Sequence, residues 1–241
     1  MQLLRRLRQV YPALEHPEAL IDAGRVRVDG VARTNPATLV RPDAAIVVSG
    51  PTALRGEAKL RAALETFRVP IVGRVALDVG AAAGGFTRVL LEAGARRVYA
   101  VDAGHGQLLG SVRQDGRVVN LEATNVGVLT TQIVPETVEV VTVDVSYLSL
   151  SMAVAHVNRI DLASEADLIG LVKPMFELRL AAPPSEPARL AQALETAMTG
   201  IEAAGWRVIA SVESPVRGAR GAVEMLVHAR RVGRVPPSGP R

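Results

Sequence analysis

The stretch from residue 74 to residue 102 constrains the fold most strongly, because it joins an apolar strand, a glycine-rich turn and a second strand ending in an acid. The first strand is predicted at residues 74–80, and small residues fill the turn at 80–85. Such residues let a ligand approach the backbone at the mouth of the first strand of an open α/β sheet. Asp102 follows about twenty residues beyond the turn, where an acid accepts hydrogen bonds from ribose hydroxyls. We therefore expect a nucleotide-like ligand.

The turn itself indicates which ligand that is. A dinucleotide-binding turn is expected to carry Gly-x-Gly-x-x-Gly, whereas this chain has Ala82 in place of the second glycine and Asp78 ahead of the turn. A carboxylate there suits an amino-acid ammonium better than a pyrophosphate, so S-adenosylmethionine is the predicted cofactor. The competing interpretation is a plain strand-to-helix turn in which Asp102 caps a helix. The residues assigned to the cofactor are Asp78, Gly80, Ala81, Gly84, Gly85, Phe86, Asp102, Ala103, Asn125 and Asp144.

Short apolar runs alternate with helical stretches from Gly73 onward, which predicts an α/β, Rossmann-like methyltransferase fold with a seven-stranded sheet. The last two strands are separated by too few residues for a crossover helix, so they should form an antiparallel hairpin. The strands are predicted at 74–80, 97–102, 118–121, 138–145, 167–173, 206–213 and 222–229. The helices of this part are predicted at about 84–93, 106–113, 149–158 and 186–204.

A smaller α+β unit precedes this sheet. Residues 1–50 have a helix, helix, strand outline, with an alternating strand that ends in the Asp29-Gly30 turn and a second strand at 45–48. The predicted divisions are a small domain at 1–50, a linker and helix at 51–72, a methyltransferase domain at 73–232 and a disordered tail at 233–241.

Composition limits which kinds of site the chain can form and where it is expected to work. The chain has no cysteine, which excludes disulfides and thiolate metal sites, and we expect no metal. It has no apolar stretch of spanning length, so no membrane association is predicted and the cytoplasm is the expected location. All but two of its 28 basic residues are arginines, the exceptions being Lys59 and Lys173. One interpretation is that function requires an ammonium group at those two positions. The other is that the chain is biased towards arginine and that these two lysines have no special role.

Two of the charged residues end predicted strands on the ligand-binding edge of the sheet. Asp144 ends an apolar strand and should point towards the transferred methyl group, while Lys173 ends a neighbouring one. A lysine in such surroundings is costly without a partner, and Asp144 is the partner we expect. Glu224, in an apolar hairpin strand, is a further candidate. Such a cluster suits methyl transfer to a hydroxyl, with Lys173 orienting or deprotonating the acceptor oxygen. A structural ion pair is the alternative interpretation.

The chain resembles the TlyA-type (haemolysin A) rRNA 2′-O-methyltransferases, which are similar to the FtsJ-type enzymes. The resemblance rests on residues 24–30 (GRVRVDG), 55–60 (RGEAKL), 77–87 (LDVGAAAGGFT), 144–150 (DVSYLSL) and 171–177 (LVKPMFE). It implies a catalytic tetrad of Lys59, Asp144, Lys173 and Glu224. It also implies that the N-terminal unit is a ribosomal-protein-like RNA-binding domain and that ribosomal RNA or a ribosomal subunit is the partner.

Two departures from the family bear on the acceptor. The segment at 178–187 is short where the family has a glycine- and basic-rich loop, and the second helix begins among the acidic residues of 15–18. A small-molecule acceptor is therefore an alternative substrate, and a non-catalytic RNA-binding factor is a second alternative. The four intact tetrad residues argue against the latter.

Overall fold

The computed structural model describes residues 1–49 and 54–233, so the predicted domain boundary at residue 50 and the tail beyond residue 233 lie outside the described residues. The helices are α1 (Leu3–Val10), α2 (Pro17–Asp22), α3 (Arg55–Phe67), α4 (Gly85–Glu92), α5 (Gly110–Arg113), α6 (Leu150–Val157), α7 (Pro174–Glu177) and α8 (Pro187–Ala203). The strands are β1 (Val26–Val28), β2 (Val31–Arg33), β3 (Ile46–Val48), β4 (Val75–Val79), β5 (Arg97–Val101), β6 (Val118–Leu121), β7 (Val138–Val143), β8 (Leu162–Val172), β9 (Trp206–Glu213) and β10 (Met225–Arg231). Within the described ranges, no helix combines the length and the apolar character needed to cross a bilayer.

Seven strands form the main sheet, in the order β6-β5-β4-β7-β8-β10-β9. The strands from β6 to β8 pair in parallel, and β10 runs antiparallel to both β8 and β9, as predicted from the short connection between the last two strands. Strands β4 and β7 are central and covered on both faces, which explains their nearly continuous apolar sequence. The predicted seven-stranded Rossmann-like sheet is therefore confirmed.

The N-terminal unit has its own small core and its own sheet. Helices α1 and α2 pack on a three-stranded sheet of order β2-β1-β3, around Leu3, Leu7, Ile21 and Val26. Strand β2 was not predicted, although Asp29-Gly30 is a strong hairpin signal. All three residues of β2 are exposed. Because none of them faces a core, the strand shows no alternation of buried apolar and exposed polar residues in its sequence.

Several elements of this part of the chain differ from the prediction. Strand β10 begins at Met225 rather than at residue 222, so Glu224 lies just ahead of the hairpin strand and not within it. Helix α5 begins at Gly110 rather than near residue 106. The loop ahead of it contacts the N-terminal unit, where Thr34 Oγ1 donates a 3.2 Å hydrogen bond to the carbonyl oxygen of Gly106. Strand β8 begins earlier than predicted, at Leu162. The one-turn helix α7 was not predicted. It directly follows Lys173, and its residues line the cavity beside that side chain.

Candidate active site

The glycine-rich turn lies between β4 and α4 and touches the end of β7. Gly80 has φ of 90°, a conformation that other residues adopt only with strain. A Cβ atom at this position would lie 2.3 Å from the carbonyl oxygen of Asp144. Only glycine allows this approach, so Gly80 brings the ends of the two strands together.

Asp102 lies just beyond β5 and holds the turn in place. Its Oδ2 accepts a 2.8 Å hydrogen bond from the backbone N–H of Ala82, and its Oδ1 accepts a 2.6 Å bond from that of Gly104. A carboxylate has about four lone-pair sites, so two remain for ligand hydroxyls. Ala103 follows it in the same loop. Asn125 lies beyond β6, where its side chain accepts a hydrogen bond from Gly127 N–H.

Asp78 is not where the sequence analysis expected it. Its side chain is fully buried beneath the turn, with its two oxygens accepting hydrogen bonds from Thr87 Oγ1 at 2.6 Å and Thr142 Oγ1 at 2.9 Å. Burial raises the pKa of this carboxyl to about 6 in spite of these hydrogen bonds. Because the carboxyl faces two threonines rather than the cleft, Asp78 supports the turn from below and does not offer a direct contact to a ligand ammonium.

A cavity of about 320 Å³ opens above the turn. Its floor consists of the small residues 80–83 and Gly85, and Phe86 and Asp144 also line it. Arg27 reaches it from β1 of the N-terminal unit. The close-packed glycines and the spare acceptor sites of Asp102 fit a nucleoside-bearing cofactor. Five of the predicted cofactor residues line this cavity: Gly80, Ala81, Gly85, Phe86 and Asp144. Gly84, Asp102, Ala103 and Asn125 are not part of its lining, although Asp102 contacts the turn through Ala82.

The four charged residues of the predicted tetrad converge, although they come from four separate parts of the chain. Lys59 Nζ, in α3, lies 2.7 Å from Glu224 Oε2 and 3.5 Å from Asp144 Oδ2. Lys173 Nζ, at the end of β8, lies 2.6 Å from Asp144 Oδ1. Asp144 therefore bridges the two ammonium groups. Two positive and two negative charges balance, which is the condition for burying such a cluster.

A second cavity of about 490 Å³ lies over the tetrad, all four members of which line it. One of its walls is apolar and includes Pro174, Met175 and Phe176 of α7. Arg55, Gly80, Ala82 and Asp144 line this cavity as well as the cavity above the turn. The two cavities therefore meet at Asp144, beside the ammonium of Lys173.

Two further residues of this site, Ser146 and Arg55, were not predicted from the sequence. Ser146 Oγ accepts a 2.8 Å hydrogen bond from Lys173 Nζ, and a serine two positions after a strand-ending aspartate was a signal available in the sequence. Arg55 precedes Lys59 by one helical turn, a spacing that puts both on one face of α3. The guanidinium of Arg55 donates a 2.9 Å hydrogen bond to the carbonyl oxygen of Arg217 and so ties α3 to the β9–β10 connection.

Comparison with known proteins gives consistent results. Residues 53–231 match the model of the FtsJ-like methyltransferase family. The 16S/23S rRNA (cytidine-2′-O)-methyltransferase TlyA of Mycobacterium tuberculosis is 38% identical over 88% of this chain and 82% of its own length. Hemolysin A of Brachyspira hyodysenteriae is 30% identical over 87% of this chain and 90% of its own. A solved structure of a Streptococcus thermophilus protein described as a hemolysin superposes with a TM-score of 0.71 at 27% identity, covering 99% of this chain and 92% of that one.

Proposed function

The chain belongs to the FtsJ-like methyltransferase family, and we propose that it is an S-adenosylmethionine-dependent enzyme that methylates a ribose 2′-hydroxyl of ribosomal RNA. One observation carries this proposal above the others: the cavity above the glycine-rich turn and the cavity over the tetrad meet at Asp144. A bound cofactor and an acceptor hydroxyl would face each other at that junction. In-line displacement at a methyl group demands this alignment.

The cofactor-binding residues are those of the turn and the neighbouring strand ends. Residues 80–83 and Gly85 supply a floor without bulky side chains. Asp102 accepts hydrogen bonds from the ribose hydroxyls with the lone pairs that its two amide contacts leave unused. When bound, S-adenosylmethionine supplies an electrophilic methyl group on a sulfonium. Phe86 and Asp144 line the cavity beside the turn.

Lys173 orients the acceptor. An ammonium has three N–H donors, and two of them face Asp144 Oδ1 and Ser146 Oγ. The third is available to hydrogen-bond the 2′-oxygen in the cavity. The proton that this oxygen loses on methylation ends on the Asp144 carboxylate, either directly or by relay through Lys173, which gives one of its own protons to Asp144 as it takes up the new one. Lys59 and Glu224 keep Asp144 in place from the opposite side. This assignment gives each tetrad member a role set by its contacts.

The acceptor is assigned to ribosomal RNA on the strength of the relatives, since the M. tuberculosis protein is named as a methyltransferase of 16S and 23S rRNA. These relatives support ribosomal RNA over a small molecule as the acceptor, and they support an enzyme over a non-catalytic RNA-binding factor. Residues 1–49, with their separate core, serve as the RNA-binding domain in this proposal. An enzyme of ribosomal RNA works in the cytoplasm, which is where we place the protein.

The test is transfer of label from S-adenosylmethionine to isolated small and large ribosomal subunits, with a small-molecule extract as a third acceptor. Alkaline hydrolysis identifies the product, because a 2′-O-methyl group protects the adjoining phosphodiester and leaves a labelled dinucleotide. We expect label in RNA with the wild type and a loss of about 10²-fold or more with Lys173→Ala.

Arg189→Ala is the matched control, since it removes a positive charge from the exposed surface of α8, outside both cavities. It should retain wild-type activity. Absence of label from the RNA of both subunits would refute the proposal, as would a product that alkali degrades completely to mononucleotides.

A further inference from the structure

One side of the cavity over the tetrad is lined by three arginines: Arg55 at the start of α3, and Arg217 and Arg220 in the β9–β10 connection. We propose that this side is a phosphate subsite, which binds a phosphodiester group adjoining the ribose that is methylated. The inference rests on the proposed function, because it concerns how an RNA acceptor fits the same cavity.

The chemistry of the acceptor requires a phosphate nearby. Within an RNA chain, the carbon that carries the 2′-hydroxyl is bonded to the carbon whose oxygen carries the 3′-phosphodiester. When the hydroxyl reaches Lys173, that phosphodiester must therefore enter the same cavity. The tetrad offers it no surplus positive charge, since its two ammonium groups are balanced by Asp144 and Glu224.

The side chains that line the cavity indicate on which side the phosphate lies. The wall formed by Pro174, Met175 and Phe176 is apolar and would leave an anion without hydrogen bonds. Of the five basic side chains that line the cavity, the two lysines belong to the tetrad, and the remaining three are these arginines. Arginine also suits phosphate particularly well, because its planar group can donate two parallel hydrogen bonds.

Arg220 is the principal contact in this proposal. Its side chain is exposed, and it takes part in no side-chain hydrogen bond or ion pair among the residues that the structure describes. Its backbone has φ of 56°, a left-handed conformation that is strained for a residue with a side chain and is found often at ligand-binding segments. Arg217 makes one weak contact, 3.3 Å to Glu213, with both side chains 55% exposed, so it can exchange this partner for a phosphate.

Arg55 and Gly218 hold the subsite over the tetrad. Besides its bond to the carbonyl of Arg217, Arg55 lies 3.5 Å from that of Gly218. A Cβ atom on Gly218 would lie 2.2 Å from Glu224 Oε1, so the connection passes directly against the tetrad. Arg55 is thus a positioning residue for the connection, and Arg220 and Arg217 are the residues that bind.

The experiment compares the wild type with Arg220→Gln, Arg220→Lys and the control Arg189→Gln. KM for ribosomal subunits and the dissociation constant for S-adenosylmethionine are measured over a series of salt concentrations. Loss of one charged contact should raise KM for RNA about tenfold. It should also lower the slope of log KM against log salt by about one. Arg220→Lys should keep the wild-type slope, and cofactor affinity should be unchanged in all three variants.

Two results would overturn the subsite. One is an Arg220→Gln enzyme with the KM and salt slope of the wild type, and the other is an equal loss in Arg189→Gln. Failure of the proposed function is recognised separately, because then the wild type itself transfers no methyl group to RNA. Thermal unfolding of each variant distinguishes a lost contact from a misfolded chain.

Discussion

Replacing Lys59 by methionine should reveal how the buried tetrad is stabilised. The ammonium of Lys59 is the near neighbour of Glu224, at 2.7 Å, and both side chains are less than a tenth exposed. Lys59→Met keeps most of the apolar stem and removes the charge. The carboxylate of Glu224 is then left buried without its partner. Asp144 loses only one of two ammonium groups, since Lys173 remains 2.6 Å away.

The expected cost follows from this burial. Removing one member of a buried ion pair destabilises a protein by about 3–5 kcal/mol, because the remaining charge stays uncompensated. For a chain of this length each kcal/mol lowers Tm by roughly 2–4 °C, so Lys59→Met should melt on the order of 10 °C below the wild type. Lys173→Met should cost less than about 2 kcal/mol, since Lys173 is more exposed than Lys59 and its partner Asp144 keeps a second ammonium.

The second substitution Glu224→Gln isolates the cause. If the loss arises from an unpaired carboxylate, Lys59→Met/Glu224→Gln should recover about 2 kcal/mol relative to Lys59→Met alone. Urea denaturation at pH 7 measures the free energy of unfolding of the wild type, both single variants and the double variant. A loss below about 1 kcal/mol in Lys59→Met, or a double variant no more stable than Lys59→Met, would refute the reasoning.

Three other predictions concern the cofactor side. Gly80→Ala forces a Cβ atom to within 2.3 Å of a carbonyl oxygen at positive φ, so calorimetry should show no cofactor binding, and wild-type affinity would contradict the close approach. Asp102→Asn should weaken cofactor binding about tenfold through lost charged hydrogen bonds, and an unchanged dissociation constant would remove the ribose assignment. The third is a pH effect, because burial raises the pKa of Asp78 from its ordinary value of 3.8 to about 6 in the folded protein. The protonated side chain therefore adds to the free energy of unfolding. This gain is complete below pH 3.8 and is lost as pH rises through 6, by up to about 3 kcal/mol. Asp78→Asn should flatten that part of the stability curve in denaturant titrations from pH 4 to 7, and parallel curves for the two proteins would contradict it.

The sequence by itself determined the sheet and the position of the cofactor turn. Apolar strands alternating with helices permit few arrangements, and the closeness of the last two strands allows only a hairpin. Gly80, Asp102 and Asp144 could be placed in advance because parallel strands present their carboxyl ends at one edge of the sheet. The scarcity of lysine indicated two of the tetrad members, and the resemblance to a family supplied the grouping of all four.

Only the tertiary structure decided what the polar side chains contact. Asp78 could point to the cleft or away from it, and the burial of Thr87 and Thr142 beside it settled the direction. Arg55 and Arg220 lie more than 160 residues apart, so no local pattern connects them with one cavity. Backbone periodicity reports which elements form. The partner of a charged side chain depends on distances between elements that are remote in the chain, and only the packed structure defines these.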